Sequence, residues 1–139
     1  MDEKVKRALY KKVKEEPFAR KLSLDLVKLD RGYSVVEMTF TEDMENIFGM
    51  AHGGAVFALI DEAFETAGNS HGTVAAALSV TVTYHRPPTQ GAILRAESRE
   101  INRSRRTGTY DIKVTENEGA LIASCQAIAY RKNEKLPFL

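Results

Sequence analysis

The chain has 139 residues, 43% of them apolar and 28% charged, with 9 glycines and 4 prolines; this is ordinary globular composition, and it excludes a disordered, collagen-like or low-complexity scaffold. The length supports one core and not two, so the expected organisation is a single domain over 1–139, with an N-terminal helix at 1–16 and a core at 17–132. Lys and Arg number 20 against 19 Asp and Glu, a formal charge of +1, so no general field draws the chain to nucleic acid or anionic lipid. Cys125 is the one cysteine; it has no partner for an internal disulfide or a shared metal, which fits a reducing, cytoplasmic setting. No apolar run approaches the roughly 20 residues of a membrane helix, and the charged opening MDEKVKRALYKK is unlike a signal peptide. Neither export nor a membrane anchor is expected.

Val5, Ala8, Leu9 and Val13 recur at helical spacing among lysines, with Asp2 as N-cap and Pro17 as the expected stop. Leu22 to Leu29 and Tyr33 to Thr41 alternate apolar and polar around Asp30-Arg31-Gly32, the pattern of a β-hairpin. The texture then changes. Gly53 to Ala67 is apolar on almost every side and is followed by Gly68-Asn69 as a C-terminal cap, which predicts a buried helix. From Ala75 the period returns to two: strands are expected at Ala75 to Arg86, Ala92 to Asn102, Thr107 to Thr115 and Leu121 to Arg131, joined by links at 87–91, 103–106 and 116–119. One buried helix followed by four strands in series reads as α+β, with a mainly antiparallel sheet wrapped around that helix. Leu78, Val80, Val82 and Tyr84 fall on one strand face and Ser79, Thr81 and Thr83 on the other, which suits a sheet-to-sheet contact in a homodimer.

Chemistry concentrates at Asn46-Ile47-Phe48-Gly49-Met50-Ala51-His52-Gly53-Gly54, where a loop enters the buried helix. The two glycines either permit a tight turn or let a carbonyl approach first-turn N–H groups, where the helix dipole would stabilise an oxyanion. Asp61 lies between Ile60 and Glu62 in the buried helix. An ionised carboxylate there is costly unless it is paired, reaches water along a polar seam with Glu62 and Glu65, or serves catalysis. A carboxylate and an oxyanion-binding amide are the minimum equipment for acyl transfer to water. Along one helix, however, Gly53 and Asp61 are about 12 Å apart in rise, roughly 9 Å between working groups, and direct attack needs roughly 7 Å or less. A second copy of the helix across a two-fold axis is the easier source of the partner group, so a site shared between subunits is expected.

Asn46-x-x-Gly49-x-x-His52-Gly53-Gly54, Leu59-Ile60-Asp61-Glu62-Ala63-Phe64 and Leu78-Ser79-Val80-Thr81-Val82-Thr83-Tyr84-His85-Arg86-Pro87 together resemble the hotdog-fold acyl-CoA thioesterases of the phenylacetic-acid-degradation type, over about Pro17 to Lys132. The resemblance implies a long helix wrapped by an antiparallel sheet, a dimer with one continuous sheet that is often doubled to a tetramer, and hydrolysis of an acyl-CoA thioester without metal or cofactor. It implies Asp61 as nucleophile or general base, the Gly53 amide as the group polarising the carbonyl, Asn46 and His52 as orienting groups, and Ser79 as an aid to the lytic water. Asn46 as a plain turn residue, His52 as a loop-holding residue and Ser79 as a strand hydroxyl are the structural alternatives.

Substrate contacts are expected from Gly54, and from Phe48, Met50, Phe57 and Phe64 along an aryl or aliphatic acyl pocket. Arg103, Arg105 and Arg106 are candidates for the coenzyme A phosphates, or else form a solvated hairpin. His52, His71 and His85 are too scattered for a zinc site, and Cys125 reads as a small core residue. Two other functions fit the same frame: hydration or dehydration of an acyl thioester, which needs an acid–base His and carboxylate aimed at the α and β carbons, and a non-catalytic acyl-CoA-binding module.

Overall fold

In the computed structural model, residues 1–117 and 119–139 are described; the link expected at 116–119 includes Glu118, which lies outside the described residues. The elements in chain order are α1 (Glu3–Glu15), α2 (Pro17–Leu22), β1 (Asp25–Asp30), β2 (Tyr33–Thr39), a short 3₁₀ turn (Glu42–Met44), α3 (Gly53–Asn69), β3 (Thr73–Tyr84), β4 (Ile93–Arg103), β5 (Thr107–Glu116) and β6 (Ala120–Lys135). Asp2 caps α1 by accepting from the Lys4 N–H (2.7 Å) and the Val5 N–H (3.4 Å), and Val5, Leu9 and Val13 form its buried stripe.

Pro17 does not end the helical region, as expected from the sequence, but opens a second helix. Glu16 ahead of it is extended (φ −67°, ψ 122°) and Pro17 stands at the first helical position of α2, which its fixed φ and missing N–H favour. The strand expected from Leu22 therefore begins only at Asp25, after Ser23 closes α2 in the left-handed region (φ 54°).

All strand pairs are antiparallel, in the order β1-β2-β4-β5-β6-β3. The sheet wraps α3, burying Leu59, Ile60, Ala63, Phe64 and Ala67 against Val36, Met38, Leu94, Ile112 and Val114. Two side chains lock the helix in place. Ser34 Oγ donates to the Ala63 carbonyl (2.6 Å), and Asn69 Nδ2 donates to the Glu65 (3.0 Å) and Ala75 (3.2 Å) carbonyls while its Oδ1 accepts from the Ala75 N–H (2.9 Å). Gly68 and Asn69 thus belong to the helix, and the left-handed residue that turns the chain into β3 is Gly72 (φ +81°).

Two expectations about exposure are corrected. The helix is not covered all round: Gly54, Phe57 and Glu65 are exposed and Asp61 is half-buried, and their spacing of three or four residues places them on one stripe. Strand β3 stands at the edge of the sheet, and its pairing with β6 slips between Ala77 and Ser79. Leu78 occupies that bulge and is 64% exposed, so it does not join Val80 and Val82 on a half-buried face.

Gly32 turns β1 into β2 at φ +67°, and a Cβ there would meet Glu100 Cβ at 2.9 Å. Gly32→Ala should therefore lower stability by about 1–3 kcal/mol through backbone strain and the contact with Glu100. Urea denaturation checks this: the midpoint should fall with the slope unchanged.

Candidate functional site

Residues 42–52 form a loop held by its own backbone and by Asn46. The Asn46 N–H donates to the Met50 carbonyl (2.7 Å), the Asn46 carbonyl accepts from the Gly49 N–H (3.1 Å), and Oδ1 accepts from the N–H groups of Phe48 (2.9 Å) and Met50 (3.1 Å). The His52 N–H donates to the Met44 carbonyl (2.8 Å), and His52 Nδ1 caps α3 by accepting from the Gly54 N–H (2.8 Å). Asn46 and His52 thus both act as loop-forming residues within the chain.

Capping spends the Gly54 N–H and leaves the Gly53 N–H without an acceptor among the described residues. That amide carries the positive end of a 17-residue helix. Tyr84, read from sequence without a role of its own, donates from its hydroxyl to the Gly53 carbonyl (3.0 Å), and a Cβ on Gly53 would lie 3.4 Å from that ring. A Cβ there would reach only ordinary van der Waals contact with the ring, and the backbone at 53 is not in the left-handed region, so neither feature by itself demands glycine. A cleft of about 290 Å³ lies beside this point, lined by Asn46, Met50, Gly53, Tyr84, His85 and Arg86 among others.

Asp61 lines a different cleft, of about 180 Å³, with Phe64, Glu65, Asn69, Ala76 and Ala129. It has no hydrogen-bond partner among the described residues, and burial holds its carboxyl above the usual range. Its neighbours are shifted further. Burial, followed by the charges of Glu16 and Glu65, pushes Glu62 up to about 8, and Glu65, although it keeps an exposed surface, is pushed up to about 7 by partial loss of water and by the charges of Glu16 and Asp61. Gly53 is not among the residues lining the Asp61 cleft, nor Asp61 among those lining the Gly53 cleft. Within one chain the two candidate groups therefore line separate clefts. Ser79 is exposed on the edge strand opposite Ile128, outside both linings.

Of the expected acyl contacts, Phe48 (73% exposed), Met50 and Phe57 are on the surface. Phe64 packs edge-on to Tyr110, with ring centroids 5.3 Å apart, and reaches the Asp61 cleft. In the arginine link, Arg103 is held at His71 Nδ1 (2.6 Å), whose Nε2 contacts Glu100 Oε2 (2.7 Å), and Arg106 donates to the Tyr130 hydroxyl (2.9 Å). The Arg105 side chain makes no such contact among the described residues, while its carbonyl accepts from Arg131 (3.3 Å) and Asn133 (3.2 Å). His85 contacts Ser124 Oγ (2.8 Å). Cys125 is buried, and burial pushes its thiol up to about 11, which keeps it inert. Tyr84 stood in the sequence within the strand pattern and the third motif of the resemblance but with no role of its own, since its hydroxyl's partner comes from 31 residues away.

Residues 48–123 match the family described as the thioesterase superfamily. The acyl-coenzyme A thioesterase PaaI of Escherichia coli (strain K12) is 34% identical over 113 residues, covering 81% of this chain and 81% of the relative. The structure of the E. coli PaaI protein from the phenylacetic acid degradation operon superposes with a TM-score of 0.91 at 30% identity, covering 96% of each chain. A variant of the phenylacetic acid degradation protein PaaI from Thermus thermophilus gives a TM-score of 0.80 at 40% identity, over 84% of this chain and 99% of the other. The hotdog architecture expected from the resemblance is the one observed.

The carboxylates of α3 set a pH dependence. Glu62 in the folded chain holds its proton to about 8 against a usual 4.5, so the folded state binds more protons than the unfolded one between these values. Stability is then fully present below the unfolded value and is lost as pH rises through the folded one. In chelator-treated buffer, Glu62→Gln should raise the Tm at pH 8.5 and leave it nearly unchanged at pH 4.5; thermal melts at the two pH values check this.

Proposed function

The chain belongs to the thioesterase superfamily and is a thioester hydrolase, and we propose that it hydrolyses an aryl- or fatty acyl-CoA to the free acid and CoA at a site built from two copies of the chain. The observation that carries this reading is the division of α3. Its N-terminus offers the unpaired Gly53 N–H in one cleft, and two turns on Asp61 offers an unpaired carboxylate in another. Neither half is sufficient alone, and the rise between them along the helix is about 12 Å.

The edge strand β3 provides the means of joining them. Its Ala76, Ala77, Leu78 and Ser79 are exposed, and its outer backbone edge has no partner strand among the described residues. Pairing of two such edges continues the sheet through a homodimer and sets the Gly53 cleft of one subunit against the Asp61 cleft of the other; a dimer of dimers belongs to the same proposal.

In the assembled site the thioester carbonyl oxygen accepts from the Gly53 N–H, where the helix dipole stabilises the oxyanion. Asp61 acts in one of two ways. As base it takes a proton from water while the water oxygen bonds to the carbonyl carbon; as nucleophile it bonds to that carbon itself, and water then opens the resulting anhydride. In either case the C–S bond breaks, CoA leaves as thiolate and is protonated. Ser79 orients the water, Asn46 and His52 fix the loop that aims the Gly53 amide, and Phe48, Met50, Phe57 and Phe64 contact the acyl group. Arg105, the arginine of its link without a contact of its own among the described residues, is the group assigned to the CoA phosphates. Coenzyme A enters as part of the substrate, no separate cofactor takes part, and a cytoplasmic location, read from the lone thiol of Cys125, goes with the proposal.

Asp61→Ala and Asp61→Asn should each lower kcat for acyl-CoA hydrolysis by about a hundredfold or more while changing KM little, because the carboxylate acts on the reacting centre rather than on the CoA handle. Free-thiol release across aromatic, short, medium and long acyl-CoAs checks this. Retention of kcat within a few-fold of the parent on every substrate would contradict the role of Asp61.

A further inference from the structure

Away from both clefts, three carboxylates converge where the N-terminal helices dock on α3. Glu16, at the corner between α1 and α2, and Glu62 and Glu65, three residues apart on α3, bring one oxygen each to within 4.8 Å of one another. Glu62 is only 4% exposed, and its Oε1 has no hydrogen-bond partner among the described residues. None of the three forms an ion pair among the described residues. The nearby Lys12, which lines the same hollow with Glu16, Glu65 and Phe138, is turned to Glu15 Oε2 (3.7 Å) and to the face of Phe138 (5.6 Å). A sealed carboxylate with an unfilled acceptor, close to two more carboxylates while the neighbouring Lys12 is engaged elsewhere, is costly to ionise unless a further positive charge joins it.

The number and chemistry of the donors select the cation. Calcium takes several carboxylate oxygens in a flexible geometry, whereas magnesium keeps several of its waters and is usually held by only one or two carboxylates. The donors are all hard oxygens, with no imidazole or thiolate to favour a transition metal. The hollow beside Glu16 and Glu65, about 290 Å³ and open to solvent, gives an entry path and room for waters to complete the coordination.

We propose that Glu16, Glu62 and Glu65 bind a divalent cation, calcium in preference to magnesium, that ties the α1–α2 corner to the central helix. This site is structural, is distinct from the thioester chemistry, and does not rest on that reading. It lay hidden in the sequence because Glu16 is 46 residues from Glu62 and only the docking of α1 and α2 brings them together.

The test uses the full chain after treatment with chelator. Calorimetric titration with CaCl2 should show one saturable site per chain, and CaCl2 should raise the Tm above that in NaCl of equal ionic strength; MgCl2 should bind more weakly. Glu62→Gln should weaken calcium binding about tenfold or more and remove the Tm rise. Glu16→Gln should do the same, and because Glu16 is only partly buried at a helix corner, it keeps the test valid if the buried substitution fails to fold. No saturable calcium binding in the parent, a Tm rise matched by NaCl, or Glu16→Gln binding calcium as the parent does would each overturn the site. Magnesium binding as tightly as calcium would overturn the assignment to calcium.

Discussion

Leu59, Ile60, Ala63 and Ala67 are sealed from water by the sheet that wraps α3, while the stripe of Gly54, Phe57, Asp61 and Glu65 on the same helix is left open. The fold is organised by that asymmetry. A helix this apolar has to be wrapped, yet the sheet ends at the unpaired edge of β3 and stops short of the face that carries Asp61. The exposed residues Ala76 to Ser79 lie on this same edge strand, and Leu78 stands at the register slip against β6. Burial stabilises the helix core, and the incompleteness of the wrapping leaves a carboxylate and a helix N-terminus accessible.

The electrostatics of α3 follow from its position. Removing water from Asp61, Glu62 and Glu65 disfavours their charged forms, and their mutual proximity adds to the effect for Glu62 and Glu65. Two turns away the helix dipole has the opposite consequence: the Gly53 N–H, unpaired because His52 caps its neighbour Gly54, is left for an anion. One helix thus carries a carboxylate without a hydrogen-bond partner on its flank and an N–H without an acceptor at its end, among the described residues. The two groups stand about 12 Å apart in rise along that helix and line different clefts.

Much of this was legible in the sequence because it was local. The change from period two to an all-apolar run and back marked α3 and the four late strands, and Asp2 marked the start of α1 through a cap that its own neighbours complete. Pro17 misled because proline both stops and starts helices, and only the docking of Ala19 in the core decides for α2. Leu78 was misplaced because a bulge depends on pairing with β6, some 50 residues on. The site divides in the same way. Asp61 and the glycine turn stood out by chemistry and spacing, while Tyr84 over Gly53, His71 holding Arg103 and the convergence of Glu16 on Glu62 needed contacts between distant segments. The capping role of His52 and the turn-forming role of Asn46, both open from the sequence, follow from hydrogen bonds within four residues.

Subunit mixing tests most directly the claim that the two halves of α3 serve different active sites. Asp61→Ala removes the carboxylate half and Asn46→Ala loosens the loop that aims the Gly53 half; each variant alone should be inactive. Refolded together from denaturant, with exchange confirmed by mass, they form mixed dimers in half of the pairings. If the site is shared, each mixed dimer has one site with both lesions and one with neither, so the mixture should recover roughly a quarter of the parent activity by two-fold counting. If the two groups act from the same helix, every site carries a lesion, and a mixture as inactive as its parents would contradict the account.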